Sequence, residues 1–189
     1  RQLPTAPATA AASDVCISIN RDIAGLRSAK EVLELCGQRI REFNAVNLVT
    51  AVHRIAKSPD SRAALGDRML GLLEGLASAS PQLAEPQALA DTAWAFARLR
   101  VRVAPLLESL ASASISKITE FSPQQIANTP WAFATLRWDD RPLLEALSAA
   151  SIPRSTECVP RHLGNTAWAF ATLEVCHDPL RESISAAAV

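Results

Sequence analysis

One nine-residue phrase occurs three times in this chain, and its regular spacing limits the fold more than any other feature of the sequence. The phrase reads Asn-Thr-Ala-Trp-Ala-Phe-Ala-Thr-Leu at residues 165–173, and close variants occupy residues 91–99 and 128–136. Its tryptophans, Trp94, Trp131 and Trp168, are each 37 positions apart. A fixed period of roughly 20–50 residues is typical of solenoids, in which similar units stack to bury a continuous core.

Prolines recur with the same period and indicate where helices begin. One series precedes each tryptophan by eight residues and another follows it by eleven: Pro86, Pro123 and Pro160, then Pro105, Pro142 and Pro179. Proline is tolerated at the start of a helix, where its missing N–H would have no partner anyway. We therefore expect two helices in each unit, helix A from the first proline and helix B from the second. Pro130 is the exception, because it lies inside helix A and should kink it.

A degenerate repeat precedes these three. Asn44 can cap a helix over residues 45–57, which aligns with helix A although Thr50 replaces the tryptophan. Asp60 or Ser61 can start the helix B that follows. Terminal repeats of a solenoid are expected to be atypical, because they cap the stack.

Shorter elements are expected before the degenerate repeat. Ser28 and Glu31 match a capping box for a helix that reaches about residue 42. Asn20 can cap a short turn over residues 21–26. The predicted fold is thus all-α, an α-solenoid superhelix of about four helix-pair repeats. The predicted domains are a disordered linker or transit-peptide remnant (residues 1–13), a degenerate repeat with capping helices (14–80), and three helix-pair repeats, the last one truncated (81–189, divided as 81–117, 118–154 and 155–189).

The helix pair, the period and the phrase resemble octotricopeptide repeats, which are RNA-binding helical repeats of algal and protist organelles, sometimes followed by a RAP domain. The resemblance covers roughly residues 27–189 and is strongest from residue 83 onwards. It implies single-stranded RNA as the partner, in a plastid or a mitochondrion, and a role in the stability, processing or translation of organellar RNA. A targeting peptide is not visible in the sequence.

Composition leaves an alternative partner open. The 19 basic and 19 acidic residues give zero net charge, which counts against a general phosphate-binding surface and favours a protein-binding scaffold. A third alternative is the repeat arm of an enzyme. The sequence contains no Walker, Gly-x-Gly-x-x-Gly, His-Glu-x-x-His or Gly-x-Ser-x-Gly motif, so we expect no enzyme activity, catalytic residue, cofactor or small-molecule substrate. The cysteine spacing predicts no metal site, and no apolar run is long enough for a membrane span.

A helical wheel divides helix A into two faces. Ile126, Thr129, Phe133 and Leu136 share one face, which we expect to pack against helix B. The other face carries three columns that recur in every repeat and form the candidate RNA-binding surface. These are the Asn/Asp column (Asp91, Asn128, Asn165), the Trp column (Trp94, Trp131, Trp168) and the third column (Arg98, Thr135, Thr172).

Each column has a structural and a functional interpretation. The indoles can pack between adjacent A helices or form stacking platforms for unpaired bases. The Asn and Asp side chains can form hydrogen bonds between repeats or read base edges. The third column varies, as a base reader requires, although a solvated face varies as easily.

Basic residues cluster where helix A leads into helix B. This arginine rim consists of Arg98, Arg100, Arg102, Arg137 and Arg141. It can contact phosphates, or it can be a set of solvated charges partly paired with Asp139 and Asp140.

Overall fold

The computed structural model describes residues 10–63, 66–79, 83 and 85–187. Within these residues all regular structure is helical, which confirms the all-α prediction. The ten α-helices are α1 (Ala10–Gly25), α2 (Ala29–Arg39), α3 (Ala45–Lys57), α4 (Asp67–Ala79), α5 (Pro86–Leu99), α6 (Ala104–Ser116), α7 (Pro123–Thr135), α8 (Arg141–Ser151), α9 (Pro160–Thr172) and α10 (Asp178–Ala187). They belong to two compact units, Arg1–Leu83 and Ala84–Val189. In the part of the chain that is described, no helix is long and apolar enough to cross a membrane.

The second unit contains three helix pairs, α5–α6, α7–α8 and α9–α10. Within it, α7 packs between α5 and α9, and α6 packs against α8, so equivalent helices stack on one another. The first proline of each repeat is the first residue of helix A, as predicted. The second proline is the second residue of helix B, so helix B begins one residue earlier than predicted. Ser122 and Gln125 form the expected capping box at α7.

The core of this unit lies between the A and B helices. Phe96 and Phe133, which are equivalent in the repeat, are both fully buried, and Phe170 is 5% exposed. The four residues at α7 that are predicted to face helix B are all buried. Complete burial of a Phe side chain contributes roughly 1.5–3 kcal/mol, so this recurring contact is a main source of stability in each repeat.

The first unit contains helices α1 to α4. Within it, α1 packs against α3, and α2 packs against α4. The capping boxes at Ser28 and Asn44 are both present. Asn20, however, caps no short turn, because it lies inside the 16-residue helix α1. Its side chain instead accepts a hydrogen bond of 2.7 Å from Nδ2 of Asn47. Helix α1 begins within the segment predicted to be a linker, whose first nine residues lie outside the described part.

Asp60 does not start helix B of the degenerate repeat, since α4 begins at Asp67. Its carboxylate instead accepts hydrogen bonds from the backbone N–H groups of Ala29, at 2.8 Å, and Lys30, at 3.3 Å. A carboxylate at this place is favoured by the unpaired N–H groups of the helix N-terminus. The bond from Ala29 is the largest cause of a lowered Asp60 pKa.

The first prediction concerns Pro130, which is buried inside the continuous helix α7. The equivalent residues are Ala93 and Ala167. Pro130→Ala restores the backbone hydrogen bond to the Ile126 carbonyl and should raise the free energy of unfolding by ~1–3 kcal/mol, measured by urea denaturation. The reciprocal change Ala93→Pro is the matched control and should lower it. Equal or lower stability of Pro130→Ala would contradict the prediction.

The second prediction concerns His162, which is buried on α9 and whose Nδ1 has no hydrogen-bond partner among the described residues. Burial, and then Arg161, lower its pKa. Because the unfolded chain binds the proton more readily, the folded protein should lose stability as the pH falls below ~6.5. The equivalent Gln125 donates a 2.9 Å hydrogen bond to Gln87, and Gln124 takes the place of Gln87 one repeat later.

His162→Gln should therefore gain a hydrogen bond and lose the titration. We expect a stability increase of about 1 kcal/mol at neutral pH and a smaller loss of stability between pH 7.5 and pH 5 than in the parent chain. Urea denaturation at the two pH values measures both effects. Parallel losses in the two proteins would show that His162 does not cause the pH dependence.

Candidate nucleic-acid interface

Each A helix of the second unit ends in the same left-handed turn. The residues with positive φ are Arg100 (56°), Arg137 (50°) and Glu174 (54°). In each case the next N–H donates to the carbonyl five residues back: Val101 to Phe96 at 3.1 Å, Trp138 to Phe133 at 2.9 Å, and Val175 to Phe170 at 2.9 Å. This is the Schellman end of a helix, with an apolar residue after the left-handed one. Because both helices end in this turn, Arg100 and Arg137 occupy equivalent positions in consecutive repeats.

Arginine is an unfavourable residue for this backbone conformation. The left-handed region costs an L-residue with a Cβ roughly 1–2 kcal/mol, and glycine is the residue that usually occupies it. Arg100 and Arg137 are both exposed, so burial of their side chains does not offset the cost. A strained non-glycine residue is a reason to look for a function of its side chain.

The arginine rim is mostly unpaired. Within the described residues, Arg98, Arg100, Arg102 and Arg137 form no ion pair. Of the predicted acidic partners, Asp139 binds Arg141 at 2.9 Å, and Asp140 accepts a hydrogen bond of 3.1 Å from the N–H of Leu143. Among the described residues, the interpretation of the rim as solvated charges paired with Asp139 and Asp140 thus holds for Arg141 alone. The guanidinium groups of the other four arginines have no acidic partner there.

Two of these guanidinium groups lie over aromatic rings. Arg102 lies 5.5 Å from the ring centroid of Trp138, and Arg98 lies 5.7 Å from that of Trp94. Such cation–π contacts orient the guanidinium while leaving its N–H donors available. The Arg102–Trp138 contact joins the turns of two successive repeats and was not expected from the sequence, since Trp138 takes the place of Val101 and Val175 and belongs to no repeated phrase.

The Asn/Asp column is half-buried in all three repeats. The side-chain amides of Asn128 and Asn165 form no hydrogen bond within the described residues, so the inter-repeat bonds expected from one interpretation are absent there. The degenerate repeat differs. Asn47 is fully buried and donates to the Cys16 carbonyl at 2.8 Å as well as to Asn20. Only α7 and α9 therefore present a partly exposed, unbonded amide in this column.

The Trp column is neither buried nor fully accessible. Trp94 and Trp131 are half-buried, and Trp168 is 46% exposed. The fully buried aromatic side chains are phenylalanines instead. The packing interpretation is thus limited to partial burial, and part of each indole remains accessible.

The three residues of the third column differ in their exposure. Arg98 and Thr172 are exposed. Thr135 presents no accessible hydroxyl, because its Oγ1 is buried, and this oxygen has no hydrogen-bond partner in the described part of the chain. Thr135 is therefore a poor candidate for contact with a base, since the last turn of α7 directs its hydroxyl into the protein.

No group of three or more His, Cys, Asp or Glu side chains among the described residues could hold a metal ion. The four cysteines form no disulfide. Burial raises the pKa of the Cys36 thiol to about 12, so this thiol is a packing residue and not a nucleophile.

The third prediction tests the strain at the turns. Arg100→Gly and Arg137→Gly should each raise the free energy of unfolding by about 1 kcal/mol, because the relieved backbone strain exceeds the added freedom of the unfolded chain. Arg100→Ala and Arg137→Ala are the matched controls, since they remove the guanidinium but keep the strain. Urea denaturation compares the pairs. Glycine variants no more stable than the alanine variants would mean that the turns are unstrained.

No family model matches the chain. Over 125 residues it is 27% identical to a protein of Oryza sativa subsp. japonica described as a chloroplastic RAP domain-containing protein. The match covers 56% of this chain and 20% of the rice protein, so the matched part spans about one fifth of its relative's length. The chain is thus similar to part of a RAP domain-containing protein.

Proposed function

We propose that the chain is a helical-repeat protein of the octotricopeptide type that binds single-stranded RNA in a plastid, without enzymatic activity, and that it acts in the stability, processing or translation of plastid RNA. The rice relative supports this proposal, because its name places it in the chloroplast and RAP domains follow some octotricopeptide repeats. The relative's name favours a plastid over a mitochondrion.

The observation that carries the proposal is the combination of two kinds of side chain in consecutive repeats. Asn128 and Asn165 present unbonded amides on neighbouring A helices, and amides can read the edges of unpaired bases. Helices α5 and α7 lead to turns from which Arg100 and Arg137 extend, and neither arginine forms an ion pair within the described part of the chain. Guanidinium groups contact phosphates through several N–H donors.

Each part of this surface would have a separate role. The amides of the Asn/Asp column would choose the sequence, and the rim would hold the backbone, because base contacts specify and phosphate contacts position. The indoles of Trp94, Trp131 and Trp168, which are half-buried or exposed, would stack on bases next to the amides. The chain as a whole has zero net charge, so affinity would depend on this local cluster and not on a general electrostatic attraction.

The fourth prediction measures the phosphate contacts. Filter binding of homopolymeric and mixed single-stranded RNAs over a salt series should give a shallow slope of roughly −2 to −4, at about −0.7 per contact. Replacing Arg98, Arg100 and Arg102 together with Ala should flatten that slope by about two to three contacts. A triple Ala variant of the exposed Arg21, Arg27 and Arg41 changes the net charge equally and is the matched control.

Three outcomes of this series are informative. Asn128→Asp or Asn165→Asp should change the preferred RNA and leave the slope nearly unaltered. Arg100→Gly should weaken RNA binding although it stabilises the fold, which separates function from structure. No detectable binding of any of these RNAs at low salt, or equal effects of the two triple variants, would contradict the proposal.

The alternative is a protein-binding scaffold without direct RNA contact. It is favoured by the equal numbers of acidic and basic residues, since α-solenoids use their extended surfaces for proteins as well. Absence of RNA binding together with a folded protein would support this alternative.

A further inference from the structure

One side of α9 differs in exposure from the same side of α5 and α7. At 100° per residue, Ala127, Pro130 and Ala134 form a stripe on α7 opposite Gln125, which faces the preceding repeat through its hydrogen bond to Gln87. The stripe therefore faces α9, and all three of its residues are buried. The equivalent stripe on α5 is also buried, by α7: Ala90, Ala93 and Ala97.

On α9 this stripe is uncovered. Gly164, Ala167 and Ala171 are all exposed, and Trp168 beside them is the most exposed of the three repeated tryptophans. The other side of α9 is covered as in its siblings, because His162 and Ala169 are buried towards α7. The residues of this stripe remain small and apolar, so the difference lies in what covers them: α7 packs on α5 and α9 packs on α7, whereas no helix among the described residues packs on this side of α9.

Helix α10 continues the uncovered surface. Ile184 and Ser185 are more exposed than their equivalents Leu147 and Ser148, which are fully buried. An apolar groove of about 270 Å³ runs between α9 and α10. Its apolar lining consists of Ala167, Phe170, Ala171, Val175, Leu180 and Ile184. We call the α9 stripe, Trp168 and this groove the outer face of the last pair.

One position on the outer face is polar in contrast to its equivalents. Arg181 stands where Leu107 and Leu144 are buried, and it forms an exposed ion pair of 3.0 Å with Asp178. The pair lies at the α10 edge, so the α9 side of the outer face keeps its apolar character.

We propose that the outer face binds a further helix pair of the same repeat type, docked as α9 docks on α7. The occupant follows from the two equivalent faces in the same unit, each of which is covered by helix A of the next pair. Small side chains let helix backbones approach closely, which suits an A helix with a similar small-residue stripe. On this proposal docking would reduce the exposure of Trp168 towards the half-buried state of Trp94 and Trp131.

The test extends the full chain by one repeat. A second copy of residues 153–187 joined after Val189 keeps the spacing of 37. We expect the amides of α9 to exchange hydrogen more slowly by about tenfold or more, because docking removes local opening, and the midpoint of thermal unfolding to rise.

Ala171→Glu is the decisive control. Ala171 is exposed, so this change should leave the unextended chain as stable as before, whereas in the extended chain it should abolish the added protection. Unchanged exchange in α9 after extension, or equal protection with and without Ala171→Glu, would overturn the proposal. End-to-end dimers of the unextended chain that Ala171→Glu disrupts would also overturn it, by assigning the face to a second copy. None of these outcomes depends on RNA binding.

Discussion

The second unit depends on close contact between successive A helices through small side chains. Alanines, and Pro130 in one repeat, fill the side of each A helix that meets the next one, so the helix backbones can approach and the phenylalanines can lie buried towards helix B. A larger residue in the stripe would separate the helices and open the core of both repeats. The columns of the candidate surface are aligned for the same reason, since residues at equal positions of tightly stacked helices must lie side by side.

Stability and the proposed function impose opposite demands at the turns. The apolar residue after each left-handed position secures the turn, and a glycine within it would suit the backbone better than arginine. Arginine at two consecutive turns therefore reduces stability while it places two cations at matching positions. Partial burial of the Asn/Asp column has a similar effect, because Asn128 and Asn165 lose some contact with water and gain no hydrogen bond from any described residue.

Repetition made most of the fold predictable, and the unpredicted parts are those without repetition. The helix starts at Pro86, Pro123 and Pro160 and the buried face of α7 follow from spacing and helical periodicity alone. Helix α1 was missed because its residues share no phrase with the later repeats, and Asp60 because a cap contributed from 31 residues away leaves no local signal. The left-handed turns were missed since arginine and glutamate occupy them in place of glycine, and the Arg102–Trp138 contact because it joins two loops in space.

The degenerate repeat shows why equal letters in a column do not imply equal roles. Asn47 and Arg54 align with Asn128 and Arg98, yet both are occupied in holding the first unit together. Asn47 donates to Cys16 and Asn20, and Nε of Arg54 donates to the Leu26 carbonyl at 2.9 Å. In the second unit, Asn128 has no such hydrogen bond within the described residues, and the guanidinium of Arg98 lies over the indole ring of Trp94. Sequence alignment alone would place candidate residues in every repeat. Because Asn47 and Arg54 already form hydrogen bonds within the first unit, they are poor candidates for contact with a partner. The candidate surface is therefore limited to the second unit, which also carries the arginine rim.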